Sequence, residues 1–270
     1  MTTLGATFRP NQPPETLLDI ARLADEVGLE ELWLWEDCFL NGGISAAAAA
    51  LAATERVRVC VGLTPVPFRN VVIQAMEVAT LHRMFGDRPL IAVGHGVQEW
   101  MGQVGNRAAS PLTLLREWVA VYRALLAGEE VTTKGRYVSI DHVKLDWPPL
   151  TAPPVVVGAI GPKTIQLAGE IADATILTSG ASLDDVRRAR AVLGAGHGLI
   201  TFAETATGPT AEQRVNTPSR ITGDAAAVAA GVRALVEAGA TSVVLEPTAD
   251  EPDLPGFLRF VAQEVRPLVD

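Results

Sequence analysis

The residues best placed to do chemistry in this 270-residue chain lie between Val155 and Ser179, VVVGAIGPKTIQLAGEIADATILTS. An apolar run ends in Gly158-Ala159-Ile160-Gly161-Pro162-Lys163, an amphipathic segment follows, and a second apolar run ends in Thr178-Ser179. This reads as strand, glycine loop, helix, strand: one unit of a parallel sheet with a helix N-terminus at the strand's carboxyl end. The first amides of a helix have no partner inside it, and the aligned peptide dipoles leave partial positive charge there. Such a loop suits an anion, most often phosphate. Pro162 fits the first helical turn, where a missing N–H costs nothing. The same glycines would also serve a plain tight turn, so the loop alone leaves both readings open.

Two further clusters carry reactive side chains. Glu36, Asp37 and Cys38 are consecutive. On a strand the two carboxylates diverge, which argues against a paired acid/base site while allowing one of them to face a pocket. His95 stands between Gly94 and Gly96, two residues without side chains to crowd it, and is a candidate acid/base or pocket-lining group. Cys38 fits a small buried apolar residue better than a reactive thiol. The four histidines and two cysteines show no metal-ligand spacing, and no GxSxG turn marks a serine hydrolase.

The elements that must position these groups alternate from end to end. Apolar β-type runs fall near Gly5–Phe8, Glu31–Trp35, Val57–Leu63, Leu90–Gly94, Val155–Gly158, Ala174–Thr178, Leu199–Ala203 and Ser242–Leu245. Helical patterns lie near Pro14–Val27, Ile44–Ala53, Val71–Phe85, Pro111–Ala127, Pro162–Ile171, Leu183–Leu193, Ala225–Ala238 and Leu254–Val265. Ser110-Pro111 reads as a helix start, and Gly128 and Gly239 sit where helix C-terminal glycines belong. Eight such pairs predict a (β/α)8 TIM barrel forming one domain over residues 1–270, with no dinucleotide fingerprint after the first strand to favour an open sheet. Glu129–Leu150 breaks the alternation and reads as a hairpin or extended insertion before the fifth strand. In a barrel the chemistry sits at the carboxyl ends of the strands, here Thr7–Asn11, Glu36–Cys38, Gly62–Arg69, Gly94–Gly96, Gly158–Lys163, Thr178-Ser179, Glu204 and Glu246-Pro247.

Composition narrows the class. Hydrophobic residues make up 48% and charged residues 20%, enough apolar material for a large core. A net charge of −9 disfavours nucleic-acid and anionic-membrane partners. Two cysteines, no signal pattern and no membrane-length apolar run lead us to expect a cytoplasmic protein with reduced thiols. Ala46–Ala50 sits in a helical segment, where it packs closely on the barrel or on a second subunit.

GAIGPKTIQLAGEIAD resembles the phosphate loop of the luciferase-like flavin and deazaflavin oxidoreductases, in particular the F420-dependent branch that includes methylene-tetrahydromethanopterin reductase. The resemblance runs from GATFRPNQPPE to the last helix. It implies an oxidoreductase that passes a hydride between F420 and a small organic substrate, with FMN-dependent monooxygenation or non-catalytic flavin binding as alternatives. It places the phosphate on Gly158–Lys163 and the ring near Asp37, Gly62-Leu63-Thr64, Gly94-His95-Gly96 and Thr178. Acid/base work would fall to His95 or Glu36. The Gly62-Leu63 peptide would be cis, and the protein a homodimer. Two positions depart from the family pattern: Thr7 stands where the reductases carry a glutamate, and Cys38 where a histidine commonly follows the aspartate.

Overall fold

Glu31, Trp33 and Trp35 alternate with Leu32 and Leu34, and the period-two geometry of a strand sends the two sets to opposite faces. Leu32 and Leu34 join the large apolar layer between sheet and helices, whereas Trp33 and Trp35 join a second cluster inside the sheet. The two faces of this parallel sheet therefore bury separate apolar sets, as both open and closed parallel sheets do, and strand pairing decides between the two. The computed structural model, which describes residues 2–269, shows a closed sheet.

The barrel strands are β1 (Thr3–Thr7), β2 (Glu31–Leu34), β3 (Arg58–Pro65), β4 (Pro89–Gly94), β7 (Val156–Ala159), β8 (Ala174–Leu177), β9 (Gly198–Ala206) and β11 (Ser242–Pro247). They run parallel round the barrel, and pairing of β8 with β9 closes it. β5 (Val131–Lys134) and β6 (Ser139–Val143) form an antiparallel hairpin before the fifth barrel strand, as the broken alternation predicts. Glu117 fastens that hairpin by accepting from the amides of Arg136, Tyr137 and Val138. A short β10 (Ile221–Thr222) extends β9.

The outer helices are α1 (Leu17–Glu26), α2 (Gly43–Ala52), α3 (Val71–Phe85), α5 (Pro111–Leu126), α6 (Pro162–Ile171), α7 (Leu183–Leu193), α9 (Ala225–Glu237) and α10 (Leu254–Arg259). Short α4 (Gln98–Gln103) and α8 (Ala211–Arg214) fall outside the sequence expectation, since six and four residues are too few to show a helical period. The last helix also ends differently: the α-helical turns stop at Arg259 and a π-helical stretch, Phe260–Val265, follows. Gly128 and Gly239 take positive φ of 81° and 117° just beyond α5 and α9, as helix-ending glycines do. Ser110 precedes α5 but does not cap it; its hydroxyl pairs with that of Thr113. No helix among the described residues is long and apolar enough to cross a membrane.

Trp33 fills the lumen, fully buried and edge-on to Phe202 with ring centroids 5.3 Å apart. Its indole N–H donates to Glu31 at 2.8 Å, and Glu31 pairs with Arg58 at the amino end of the barrel. Two glycines make way for the ring. A Cβ on Gly5 would stand 2.8 Å from Trp33 Cδ1, and one on Gly62 2.8 Å from its six-membered ring. We therefore predict that Gly5→Ala costs about 1–3 kcal/mol as an overpacking change, and that Trp33→Phe in the same chain recovers part of it. Denaturant midpoints of the two single variants and the double variant measure this; a Gly5→Ala midpoint equal to wild type would show that Trp33 is not tightly held.

Candidate active site

The carboxyl ends of the strands surround a cavity of about 320 Å³. Trp35, Glu36 and Asp37 reach it from the end of β2, and Gly62, Leu63 and Pro65 from β3. His95, Gly96, Val97 and Trp100 follow β4, while Gly158, Ala159, Ile160 and Thr178 close it from β7 and β8. The structure thus brings together Glu36, Asp37, Gly62, Leu63, His95, Gly96, Gly158–Ile160 and Thr178. Thr64, Gly94, Gly161, Pro162 and Lys163 lie outside this lining. Thr64 is buried and donates to the Ala92 carbonyl at 3.2 Å.

Leu63 explains two of the glycines. A Cβ on Gly94 would lie 2.7 Å from Leu63 Cδ2, and one on Gly158 would run into the same methyl. Both strand ends are bare so that this side chain can lie across them. The Gly62-Leu63 peptide is cis, as the resemblance implies, and the Cys38-Phe39 peptide is cis as well.

Beyond Ile160 the cavity meets a larger groove of about 700 Å³ that shares Ala159, Ile160 and Thr178 with it and includes Pro162, Ser179 and Arg188. Gly161 is the N-cap residue of α6, where no side chain caps the helix. A Cβ there would meet nothing within 4 Å. Lys163 lines an outer groove with Arg116 and Glu170 and lines neither the mouth cavity nor the groove beside it. An uncapped N-terminus facing open space beside the cavity is what a phosphate requires, and it comes from backbone amides.

Glu36 is fully engaged. Both its oxygens accept from the Arg69 guanidinium, and Oε2 also accepts from the Gly43 amide at 2.7 Å. This carboxylate ties the end of β2 to the start of α2 and to Arg69. Asp37 is freer: Oδ2 accepts from Trp35 Nε1 at 3.1 Å, and Oδ1 has no donor among the described residues. Burial pushes its pKa up, against the Trp35 hydrogen bond and the Arg9 charge. His95 Nδ1 donates to the Gly96 carbonyl at 3.0 Å. The Cys38 thiol is pushed up by burial and then by the charges of Glu36 and Asp37, so it remains a neutral thiol. Thr7, at the glutamate position of the reductases, is buried with no partner for its hydroxyl.

Sequence reasoning missed one link. Arg9 Nη1 donates to Glu246 Oε1 and, at 3.1 Å, to the Pro247 carbonyl; Ser179 donates to Glu246 Oε2. The Arg9 guanidinium also lies 5.6 Å from the centre of the Trp35 ring. Burial raises the Glu246 pKa and Glu204 adds to it, while Ser179 and Arg9 oppose. Glu246 is readable as a strand-end residue, but its partner lies 237 positions away and no local pattern connects them.

A closed parallel barrel with a partly apolar cavity at its mouth, beside an uncapped helix start, has the frame of a TIM-barrel enzyme. The chain belongs to the luciferase-like monooxygenase family, whose model matches residues 1–199. It is 30% identical over 178 residues to a 5,10-methylenetetrahydromethanopterin reductase of Methanolobus tindarius, covering 66% of this chain and 54% of that one. The chain spans about half the length of the curated relatives it matches. Among solved structures it superposes on the coenzyme F420 dependent tetrahydromethanopterin reductase of Methanopyrus kandleri with a TM-score of 0.86 at 20% identity, covering 100% and 99% of the two chains. An F420-dependent secondary alcohol dehydrogenase in complex with an F420-acetone adduct gives the same TM-score at 22% identity and the same coverage. These two likenesses establish the shared fold.

The raised Glu246 pKa has a testable sign. From about pH 4.3, the ordinary glutamate value, up to its higher folded value, the native protein holds a proton that the unfolded chain has lost. Glu246 therefore contributes stability that is complete at low pH and lost as pH rises through that window. We predict that the unfolding free energy of Glu246→Gln relative to wild type increases with pH from 4 to 7. Urea titrations at four pH values measure it; a difference that falls with pH would mean that Arg9 and Ser179 outweigh burial.

Proposed function

We propose that the protein is an F420-dependent oxidoreductase that transfers a hydride between F420 and a small organic substrate. The observation that carries this reading is the junction at Ile160-Gly161, where the mouth cavity meets the uncapped start of α6 and open space in front of it. A flat ring in the cavity and a phosphate at the helix start fit that shape, and the relatives named as F420-dependent enzymes share the barrel.

When bound, F420 supplies the ring carbon that accepts or gives up the hydride. The rest falls to the chain. The Gly161 and Lys163 amides hold the phosphate, and Leu63, braced over Gly94 and Gly158, presents an apolar surface to the ring. Trp35, Val97 and Trp100 wall the cavity and limit water. Asp37 exchanges the proton that accompanies hydride transfer: it is half-buried, oriented by Trp35, and its pKa is raised by burial. His95 offers Nε2 as a second acceptor, and Glu36 fixes the wall through Arg69. The reductases' reaction is not assigned to this chain, because Thr7 cannot replace a carboxylic acid.

We further propose a homodimer. The structure modifies the expected surface: Ala47, Ala50 and Leu51 of α2 are buried against the barrel. The neighbouring α3 exposes Ile73, Met76 and Met84, spaced along one face. Light scattering at micromolar concentration should give twice the chain mass, and Met76→Glu should return it to one; a monomeric wild type contradicts the proposal.

The cofactor reading is tested by titrating the protein with F420 and FMN in parallel and repeating the titration with Gly161→Val. We expect tighter binding of F420 than of FMN. The variant should lose at least about tenfold in affinity with unchanged far-ultraviolet dichroism, because its added side chain enters the open space at the helix start. Equal affinity in a folded variant would show that the loop is not the phosphate site.

A further inference from the structure

The charges around the cavity constrain the substrate as well as the cofactor. No lysine or arginine is among its lining residues. The charged side chains that line it are two carboxylates: Glu36, neutralised by Arg69, and Asp37, whose Oδ1 has no donor. Arg9, 5.6 Å from the Trp35 ring, is committed to Glu246 and the Pro247 carbonyl, and Arg188 of the adjoining groove is paired with Asp185. Glu204 adds a further negative charge beside Glu246. The remaining wall is Trp35, Leu63, Pro65, Val97 and Trp100.

An anionic group entering this space would meet Asp37 and find no free cation. Desolvating a charge without a partner costs several kcal/mol. A hydroxyl or an ammonium group instead meets a carboxylate oxygen that lacks a donor, while an aliphatic body packs on the apolar wall. We propose that the substrate is a small molecule with an aliphatic body, a neutral or cationic hydrogen-bond donor directed at Asp37, and no phosphate or carboxylate. This rests on the F420 reading above, in which the phosphate takes the helix start and the ring packs on Leu63, leaving the rest of the cavity beside Asp37 for substrate. The cavity volume restricts that body to a few carbon atoms beside a ring.

Three probes of matched shape test the inference: isopropanol, isopropylammonium and isobutyrate. Each is added to F420-saturated protein and its binding read by saturation-transfer nuclear magnetic resonance, with F420 affinity measured separately by fluorescence. Wild type should favour isopropylammonium over isobutyrate by at least about tenfold and should also bind isopropanol. Asp37→Asn should abolish the preference between the two ions, and Glu246→Gln, which frees Arg9, should strengthen isobutyrate binding. Absence of F420 binding would overturn the cofactor reading. Normal F420 binding with equal or stronger isobutyrate binding, with no binding of any probe, or with a preference unchanged in Asp37→Asn would overturn the charge selectivity alone. Using two variants at separate strand ends keeps the test decisive if one of them fails to fold.

Discussion

Filling the lumen of the barrel is the constraint on which the rest of this structure depends. Eight parallel strands enclose a space that must be packed by inward side chains, and here a tryptophan takes much of it. Trp33 forces Gly5 and Gly62 to remain bare, and its N–H needs the Glu31 carboxylate, which in turn needs Arg58. Gly62 is the residue before Leu63. The same glycine that clears room for Trp33 below therefore leads into the side chain that lies over Gly94 and Gly158 above. Core packing and the floor of the mouth cavity are consecutive layers of one arrangement.

Electrostatics at the mouth follows from how its charges are paired. Arg69 holds Glu36 and Arg9 holds Glu246, while Asp37 has the Trp35 indole as its side-chain donor among the described residues. We propose that the phosphate is held mainly by backbone amides at the start of α6, with Arg188 of the adjoining groove paired to Asp185. An acidic mouth and a dipolar anion site can coexist a few residues apart because the helix dipole acts mainly over its first turn. In the function proposed above, this division would give an anionic cofactor and a substrate of different charge separate places to bind.

Much of the fold was legible in the sequence because the apolar runs are short, bounded by glycine and proline, and separated by helices with readable ends. Pro162 and Gly128 mark boundaries that the structure reproduces. The glycine loop and the residues at the ends of β2 and β4 could be nominated from their position alone. What was not legible depends on pairs distant in sequence. Glu36 looked available for acid/base work until Arg69, 33 positions on, was seen to occupy both oxygens. Gly94 and Gly158 read as ligand contacts, although their missing side chains make room for Leu63. The Arg9–Glu246–Ser179 link joins three strand ends and leaves no local trace. The α2 alanines were ambiguous between barrel and subunit packing, and burial assigns Ala47 and Ala50 to the barrel.

We propose that Leu63 and the start of α6 together define the cofactor's position, ring on one and phosphate on the other. A crystal structure of the protein with F420 bound decides this. We predict the ring packed against Leu63, with the phosphate oxygens within hydrogen-bond distance of the Gly161 and Lys163 amides. A ring in the mouth cavity with its phosphate directed away from α6, or F420 bound outside the barrel mouth, would contradict it.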